Sequence, residues 1–307
     1  MATSADVVQT ESQATWLKPW LTRETGMAWL FILPSLIGFI VFYAVPAVRG
    51  LFISFTDWDL LTESQFVGLD NYARLVSDTA FWQSLGVTLG YVVINIAIQT
   101  VLAILIAVLM DRLAKSIVVR GVLILPYLLS NVVVGLLWLW MLDPTLGIIN
   151  AFLTYIGIGR QPFLGSPDQA IASIAWINIW RHMGYTALLV FAGLQTIPKD
   201  VYEAASIDGA SEWRTFWGIT LPLLRPVLVF VLVITVIGSF QVFDTIAVTT
   251  QGGPANATRV IVWYIAEFAF DRFDMGYATT ISVALFLILA VVTFIQMRVM
   301  RAGESDL

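Results

Sequence analysis

Long apolar runs separated by short polar intervals organise this chain. Six of them stand out, Ala28 to Val48, Leu85 to Met110, Val118 to Leu142, Ile171 to Gln195, Pro226 to Val248 and Tyr277 to Met297. Each holds on the order of 20 residues, the length a helix needs to cross a hydrocarbon core about 30 Å thick. Membrane-spanning strands would instead alternate apolar and polar positions over about 10 residues, and these runs do not alternate. Backbone polar groups in lipid need partners within the chain, so the runs predict helices. The expected fold class is an all-α membrane protein, a bundle of six transmembrane helices.

Composition agrees with the pattern. Of 307 residues, 59% are hydrophobic and 12% charged, against roughly 25% charged in an ordinary soluble domain. The first run follows Lys18 and Arg23 but is long for a signal-peptide core and carries Pro34 and Pro46 in place of a small-residue cleavage site, so it is expected to be retained. The division expected is a polar tail over 1–26, with Trp16 and Trp20 as interfacial anchors, a transmembrane domain over 27–300 and a short tail over 301–307.

Charge sets the orientation. With the N-terminus inside, the cytoplasmic intervals hold Lys18, Arg23, Arg112, Lys115, Arg120, Lys199, Arg214, Arg225, Arg298 and Arg301, and the outer ones Arg49, Arg74, Arg160, Arg259 and Arg272. Arg181 lies inside a run. Ten against five predicts both termini in the cytoplasm. The acidic cluster Asp57, Asp59, Glu63, Asp70 and Asp78 then lies in the first outer interval, as a solvated loop. With no cysteine and a single histidine, disulfide, thiol and His-cluster chemistry are excluded.

The interval between the fourth and fifth runs, residues 197–226, reads as two short helices. Asp200 and Glu203 are spaced as a capping-box pair, Asp208-Gly209 supplies a turn, and Ser211 caps a second helix running to Pro222. Val201, Ala204 and Ala205 leave a low surface suited to close approach by another backbone. On the residues alone, two readings stay open: a docking surface, or an amphipathic linker lying on the membrane.

Polar groups inside a span are costly and face a cavity or another helix. The fourth run holds Asn178, Arg181, His182 and Tyr185, and Asn178, His182 and Tyr185 share one helix face at i, i+4 and i+7. The fifth adds Thr235, Ser239 and Gln241. Such donors and acceptors, with aromatic rings nearby, suit the hydroxyls and C–H faces of a sugar; equally, they can hydrogen-bond neighbouring helices. Asp244 is the nearest intramembrane acid to Arg181, and His182 reads as a packing residue. Trp138 and Trp140 are expected at the interface as anchors.

Four stretches carry a family resemblance: Glu203-Ala204-Ala205 with Gly209 four positions on and Ile219-Thr220-Leu221-Pro222 after it; FVGLDNY at 66–72; LILPYLLSNVVVGLLWLWMLDPTLGIIN at 123–150; and FQVFDTIAVTTQGGP at 240–254. From about Met27 to Met297 the chain resembles the permease subunits of binding-protein-dependent ABC importers, in particular the maltose-type sugar permeases. The resemblance implies a type I permease bundle whose 197–226 loop carries a coupling helix docked into a cytoplasmic ATPase. Glu203 would face polar groups of that ATPase, Ala204 and Ala205 would permit close docking, and Asp208 and Gly209 would make the turn. It also implies that the fourth and fifth spans line the solute path, with Asn178 and Tyr185 placed for sugar contact and Arg181, His182, Thr235, Ser239 and Gln241 beside them. Gly252-Gly253-Pro254 would form an outer turn.

The implied partners are a second homologous permease, two copies of the ATPase, an extracytoplasmic solute-binding protein and membrane lipid, with no nucleic acid. The chain has no G-x-x-x-x-G-K-[ST] phosphate loop. It is therefore expected to be no enzyme and to hold no cofactor or metal, with ATP and Mg bound by the partner ATPase. The solute expected is a sugar or oligosaccharide. Glycerol 3-phosphate or another polyol phosphate is the alternative, with Arg181 as its anion contact. A membrane enzyme would require a nucleophile, base or metal constellation, and the candidates here are scattered; a channel would make the docking motif superfluous.

Overall fold

The computed structural model describes residues 23–113 and 116–300. Trp16, Trp20, Lys115, Arg301 and most of both expected tails lie outside the described residues. The chain divides into two units, Met1–Ile53 and Ser54–Leu307.

In the first unit, α1 (Arg23–Phe39) passes through a π-helical turn at Ile40–Ala44 into α2 (Val45–Ile53). Pro46 has no N–H to offer the preceding turn, and widening of the hydrogen-bond ladder just before it accommodates the loss. No residue from Gly26 to Ile53 is buried.

The second unit opens with a loop in which Thr56 pairs with Phe66 in an isolated antiparallel bridge. It continues with α3 (Asp70–Ser77), α4 (Thr79–Leu113), α5 (Ile117–Leu128), α6 (Asn131–Met141), α7 (Ile148–Tyr155) and α8 (Pro167–Leu194). The expected coupling loop follows as α9 (Lys199–Ile207), α10 (Glu212–Thr215), a π-helical turn at Phe216–Thr220 and α11 (Leu221–Leu223). After it come α12 (Arg225–Phe240), α13 (Asp244–Val248), α14 (Ile261–Ala266) and α15 (Met275–Val299).

All six apolar runs become helical, but not six uniform spans. Gly26–Ile53, Thr79–Arg112, Arg225–Val248 and Met275–Val299 are long and apolar enough to cross a membrane. The third run is not one helix. It bends by 91° between α5 and α6, where Leu129 and Ser130 are extended (ψ 147° and 142°) just after Pro126. The fifth run is interrupted at Gln241–Phe243, between α12 and α13. The fourth, within α8, is a single helix of 28 residues. It falls short of the apolarity of the other four because it carries polar groups where it is enclosed by the rest of the unit.

The core explains that enclosure. Tyr91, Ile174, Ile246, Ile261, Tyr277 and Ile281 are fully buried in one cluster, and Val190, Leu224 and Val231 in a second. Where α5 crosses α8, Gly184 allows contact without a side chain: a Cβ there would lie 1.8 Å from the Leu123 carbonyl oxygen. Trp138 corrects an expectation. It is buried, edge-on to Trp180 at 5.5 Å, so it is a core residue, whereas Trp140 is exposed.

Candidate functional site

Two polar regions contain most of the sequence-predicted residues. The first is the short helix α9 and its turn. Asp200 is not its cap: α9 starts at Lys199 behind Pro198, with no capping side chain, and Asp200 lies in the first turn. A carboxylate there favours the positive end of the helix dipole. Ser211 does cap α10, accepting from the Arg214 amide at 3.4 Å. Gly209 has φ +70°, a left-handed conformation that glycine adopts without steric cost, and the Ala210 amide donates to the Ala205 carbonyl at 2.9 Å to close the turn.

This geometry sorts the predicted residues. Glu203, Ala204, Asp208 and Gly209 are exposed, as is Ile207 at 86%. Ala205 is turned into the chain at 7%, so Ala204 alone of the two alanines faces outward. The loop is tied to the rest of the unit by Arg112–Glu212 at 2.7 Å, and its own two halves are joined by a Thr220–Tyr202 hydroxyl contact at 3.3 Å. Gln195 at the end of α8 donates to Asp111 at the end of α4, at 2.6 Å. Behind the turn these elements enclose a cavity of about 430 Å³.

The second region is a cavity of about 200 Å³ between α4, α8 and α12, reached also by Tyr127 of α5. It brings together Asn178, His182, Tyr185, Thr235 and Ser239. Tyr127 and Tyr185 stack with ring centroids 4.3 Å apart and planes within 8°, and His182 meets Tyr127 edge-on at 5.6 Å. The His182 ring is held on both sides. Its Nδ1 lies 3.0 Å from the Asn178 carbonyl oxygen, an acceptor only, so Nδ1 carries the proton. Nε2, 2.9 Å from an Arg181 guanidinium nitrogen, is then the acceptor.

Two predicted residues are not in the cavity lining. Gln241 follows the last residue of α12 and is exposed, because the helix ends at Phe240. Arg181 serves the helix break. Its Nη2 donates to the carbonyls of Tyr127 at 3.1 Å and Leu129 at 2.9 Å, and its Nε also reaches Leu129 at 3.2 Å. The last carbonyls of a helix lack partners and carry the negative end of its dipole, and a guanidinium with five donors suits them. Asp244, the nearest intramembrane acid by sequence, forms no ion pair with Arg181 and instead accepts from Asn131 at the start of α6, at 2.7 Å.

Sequence reading missed Asn95, Gln99, Tyr127 and Thr186, all of which line the cavity. The signal was present in part: Asn95 and Gln99 are an i, i+4 polar pair inside the apolar run of α4. Asn95 donates to Ser239 Oγ at 2.9 Å and to Gln99 Oε1 at 3.2 Å, and Gln99 donates to Thr186 Oγ1 at 2.8 Å. Three helices are thus joined through side chains.

A third polar cluster lies where α3, α4, α14 and α15 meet. Asp78 accepts from the hydroxyls of Tyr264 and Tyr277, each at 2.6 Å, and from the Ala80 amide at 2.9 Å. Burial pushes the Asp78 carboxyl up, but these donors outweigh it and hold it below the usual carboxylate range. Arg74 lies over the Tyr277 ring at 3.8 Å and pairs with Asp274 at 2.7 Å. Among the described residues, no group of three or more His, Asp or Glu is placed to hold a metal.

Comparison with known proteins gives these sites a context. Residues 99–303 match the family model described as "Binding-protein-dependent transport system inner membrane component". The chain is 34% identical to the trehalose/maltose transport system permease protein MalF of Thermococcus litoralis, over 91% of this chain and 95% of that protein. It is 36% identical to the sn-glycerol-3-phosphate transport system permease protein UgpA of Agrobacterium fabrum, over 89% and 94%. Its fold is similar to that of a chain in a bacterial ABC transporter involved in the import of the acidic polysaccharide alginate, with a TM-score of 0.81, 24% identity and coverage of 92% and 97%.

Proposed function

The chain belongs to the family of binding-protein-dependent transport system inner membrane components, a multi-pass permease subunit of an ABC importer, and from that premise we propose that it passes a neutral sugar or oligosaccharide. The solute arrives from an extracytoplasmic binding protein and crosses by alternating access. A second, homologous permease completes the channel, and two cytoplasmic ATPase subunits hold ATP and Mg. The turn at Asp208-Gly209 docks on one of those subunits, with Glu203, Ala204 and Asp208 exposed toward it. Both termini lie in the cytoplasm.

One observation carries the choice of solute. The cavity is lined by amides, hydroxyls and stacked tyrosines, while the nearby guanidinium of Arg181 is committed to two backbone carbonyls and to His182. Amides and hydroxyls exchange hydrogen bonds with sugar hydroxyls, and Tyr127 and Tyr185 offer apolar faces for C–H groups. A phosphate would need Arg181, and taking it would leave the Tyr127 and Leu129 carbonyls without their donor, which is expensive in a low-dielectric interior.

The likeness to UgpA makes the polyol phosphate the reading to test against. Uptake of labelled maltose, trehalose and glycerol 3-phosphate is to be measured in cells carrying the complete importer and its binding protein. Uptake of a neutral sugar, with glycerol 3-phosphate neither carried nor competing, is the expected result. Efficient glycerol 3-phosphate uptake that Arg181→Gln abolishes would overturn the neutral assignment.

A further inference from the structure

Resting on the neutral-sugar reading, we infer that Asn95 Oδ1 accepts a hydroxyl hydrogen from the passing solute and so makes α4 a specificity element. The inference starts from the direction of each hydrogen bond in the α4–α8–α12 network. Ser239 Oγ gives its hydrogen to the Thr235 carbonyl at 2.7 Å, so toward Asn95, at 2.9 Å, it can only accept. Asn95 must therefore present its NH₂ group there. The other end of the network requires the same orientation. Thr186 Oγ1 gives its hydrogen to the His182 carbonyl at 3.0 Å, so it accepts from Gln99 Nε2 at 2.8 Å. Gln99 is then left with its oxygen toward Asn95, which again must answer with NH₂, at 3.2 Å. Two independent carbonyls, on two different helices, fix one amide.

Asn95 Oδ1 is what remains. Asn95 is 1% exposed and lines the cavity, and its Oδ1 is buried with no hydrogen-bond partner. Buried polar atoms in native proteins are nearly always paired, and a carbonyl-type oxygen can only accept. The missing partner is a donor. A solute hydroxyl in the adjoining cavity supplies one, whereas an ether oxygen, a carboxylate or a phosphate oxygen does not. A sugar hydroxyl lost or methylated at the matching position leaves Oδ1 unpaired. Sites built on a buried hydrogen-bonding group reject analogues that lack the partner group.

The test compares single-deoxy derivatives of the sugar that the intact importer carries, chosen from maltose and trehalose. Uptake of parent and derivative is measured with wild-type protein and with Asn95→Leu, always with the same binding protein. Discrimination by the binding protein is common to both and cancels in the ratio. The expected result is a KM for the parent about five- to tenfold higher in Asn95→Leu, the worth of one neutral hydrogen bond. Alongside it, the penalty of one particular deoxy derivative disappears while those of the others persist. Asn95→Ala, which leaves space in place of an apolar group, is read by the same ratio if the leucine variant fails to insert. Thr186→Val weakens the network without removing Oδ1 and should slow parent and derivatives alike. Uniform slowing by the Asn95 variants would overturn the inference and assign Asn95 to helix packing or to a bound water. Failure of the wild-type importer to carry any neutral sugar would overturn the neutral-sugar reading and the inference with it.

Discussion

The turn after α9 and the cavity between α4, α8 and α12 are both polar islands in an apolar chain, and they are built in opposite ways. At the turn, Glu203, Ala204, Ile207 and Asp208 face outward, and the Arg112–Glu212 ion pair that helps tether the loop is itself exposed, at 50% and 82% of the side chains. An exposed pair of this kind contributes about 0–1 kcal/mol. In the cavity, by contrast, Asn95, Gln99, Thr186 and Ser239 bond to one another across three helices, with Asn95 Oδ1 left over, and Arg181 closes the broken end of α5. The turn presents its chemistry outward, whereas the cavity spends most of its chemistry on holding its own shape. Substitutions should accordingly separate the two regions: at the turn function fails with the fold intact, and at the α5–α8 crossing beside the cavity the fold fails first.

The largest effect is expected from Gly184→Ala. The new Cβ would sit 1.8 Å from a backbone oxygen of Leu123, and no side chain can move aside to relieve it. α5 must lift from α8, pulling the Tyr127 and Leu129 carbonyls away from Arg181. Overpacking ordinarily costs about 1–3 kcal/mol, and a backbone clash belongs at or above the top of that range. Thermal unfolding of the purified protein in detergent should show a clearly lowered midpoint and reduced yield. An unchanged midpoint would mean that the crossing does not hold the cavity together.

The turn should behave differently. Nothing lies within 4 Å of a Cβ placed on Gly209 and the residue is exposed, so a side chain there starts into open space, and the internal cost is that of the left-handed backbone, about 1–2 kcal/mol. Gly209→Ala and Gly209→Trp share that cost and differ in bulk. If the turn docks on an ATPase, alanine reduces uptake several-fold and tryptophan abolishes it, with both variants inserted and melting nearly alike. Equal uptake by the two would remove the docking role from this turn. The ATPase retained on the purified permease gives the same comparison without transport.

These contrasts also explain what could be read from the sequence. The turn is local: a glycine in the left-handed region, a serine cap and a run of exposed polar positions all occur within about a dozen residues, and each has its own chemical signature. Asn178, His182 and Tyr185 were legible for a similar reason, since i, i+4 and i+7 fall on one face of any helix. What escaped was non-local. The carbonyls that hold Arg181 become available only because the chain breaks after Pro126 and turns by 91°, and hydropathy alone reads residues 118–142 as one apolar run. Gln241 lies outside the cavity lining, and the helix that would have carried it stops one residue before it. Asn95 and Gln99 carry a helical spacing, yet their partners lie 144 and 87 residues away, on α12 and α8.

The Asp78 cluster asks whether the close mutual bonding of the cavity extends beyond the apolar interior. Asp78 lies just before α4 and gathers donors from α14 and α15 as well as from its own chain neighbourhood. Because its carboxyl is held below the ordinary value of about 3.9, its stabilising contribution is complete above that value and is lost as pH falls through the lower, folded one. Stability should therefore be flat in this respect from pH 8 to 5 and fall only below about pH 4. Asp78→Asn removes the charge that Tyr264 and Tyr277 bond to, so it should lower the melting midpoint modestly at neutral pH and weaken its acid dependence. The side chain is partly open to solvent, so screening keeps the effect smaller than that of Gly184→Ala. A variant with the wild-type midpoint at pH 7 and the wild-type acid profile would show that the two tyrosines are positioned by their packing against Phe268, 5.0 and 4.8 Å away. The close mutual bonding would then be a property of the interior alone, set by the scarcity of water there.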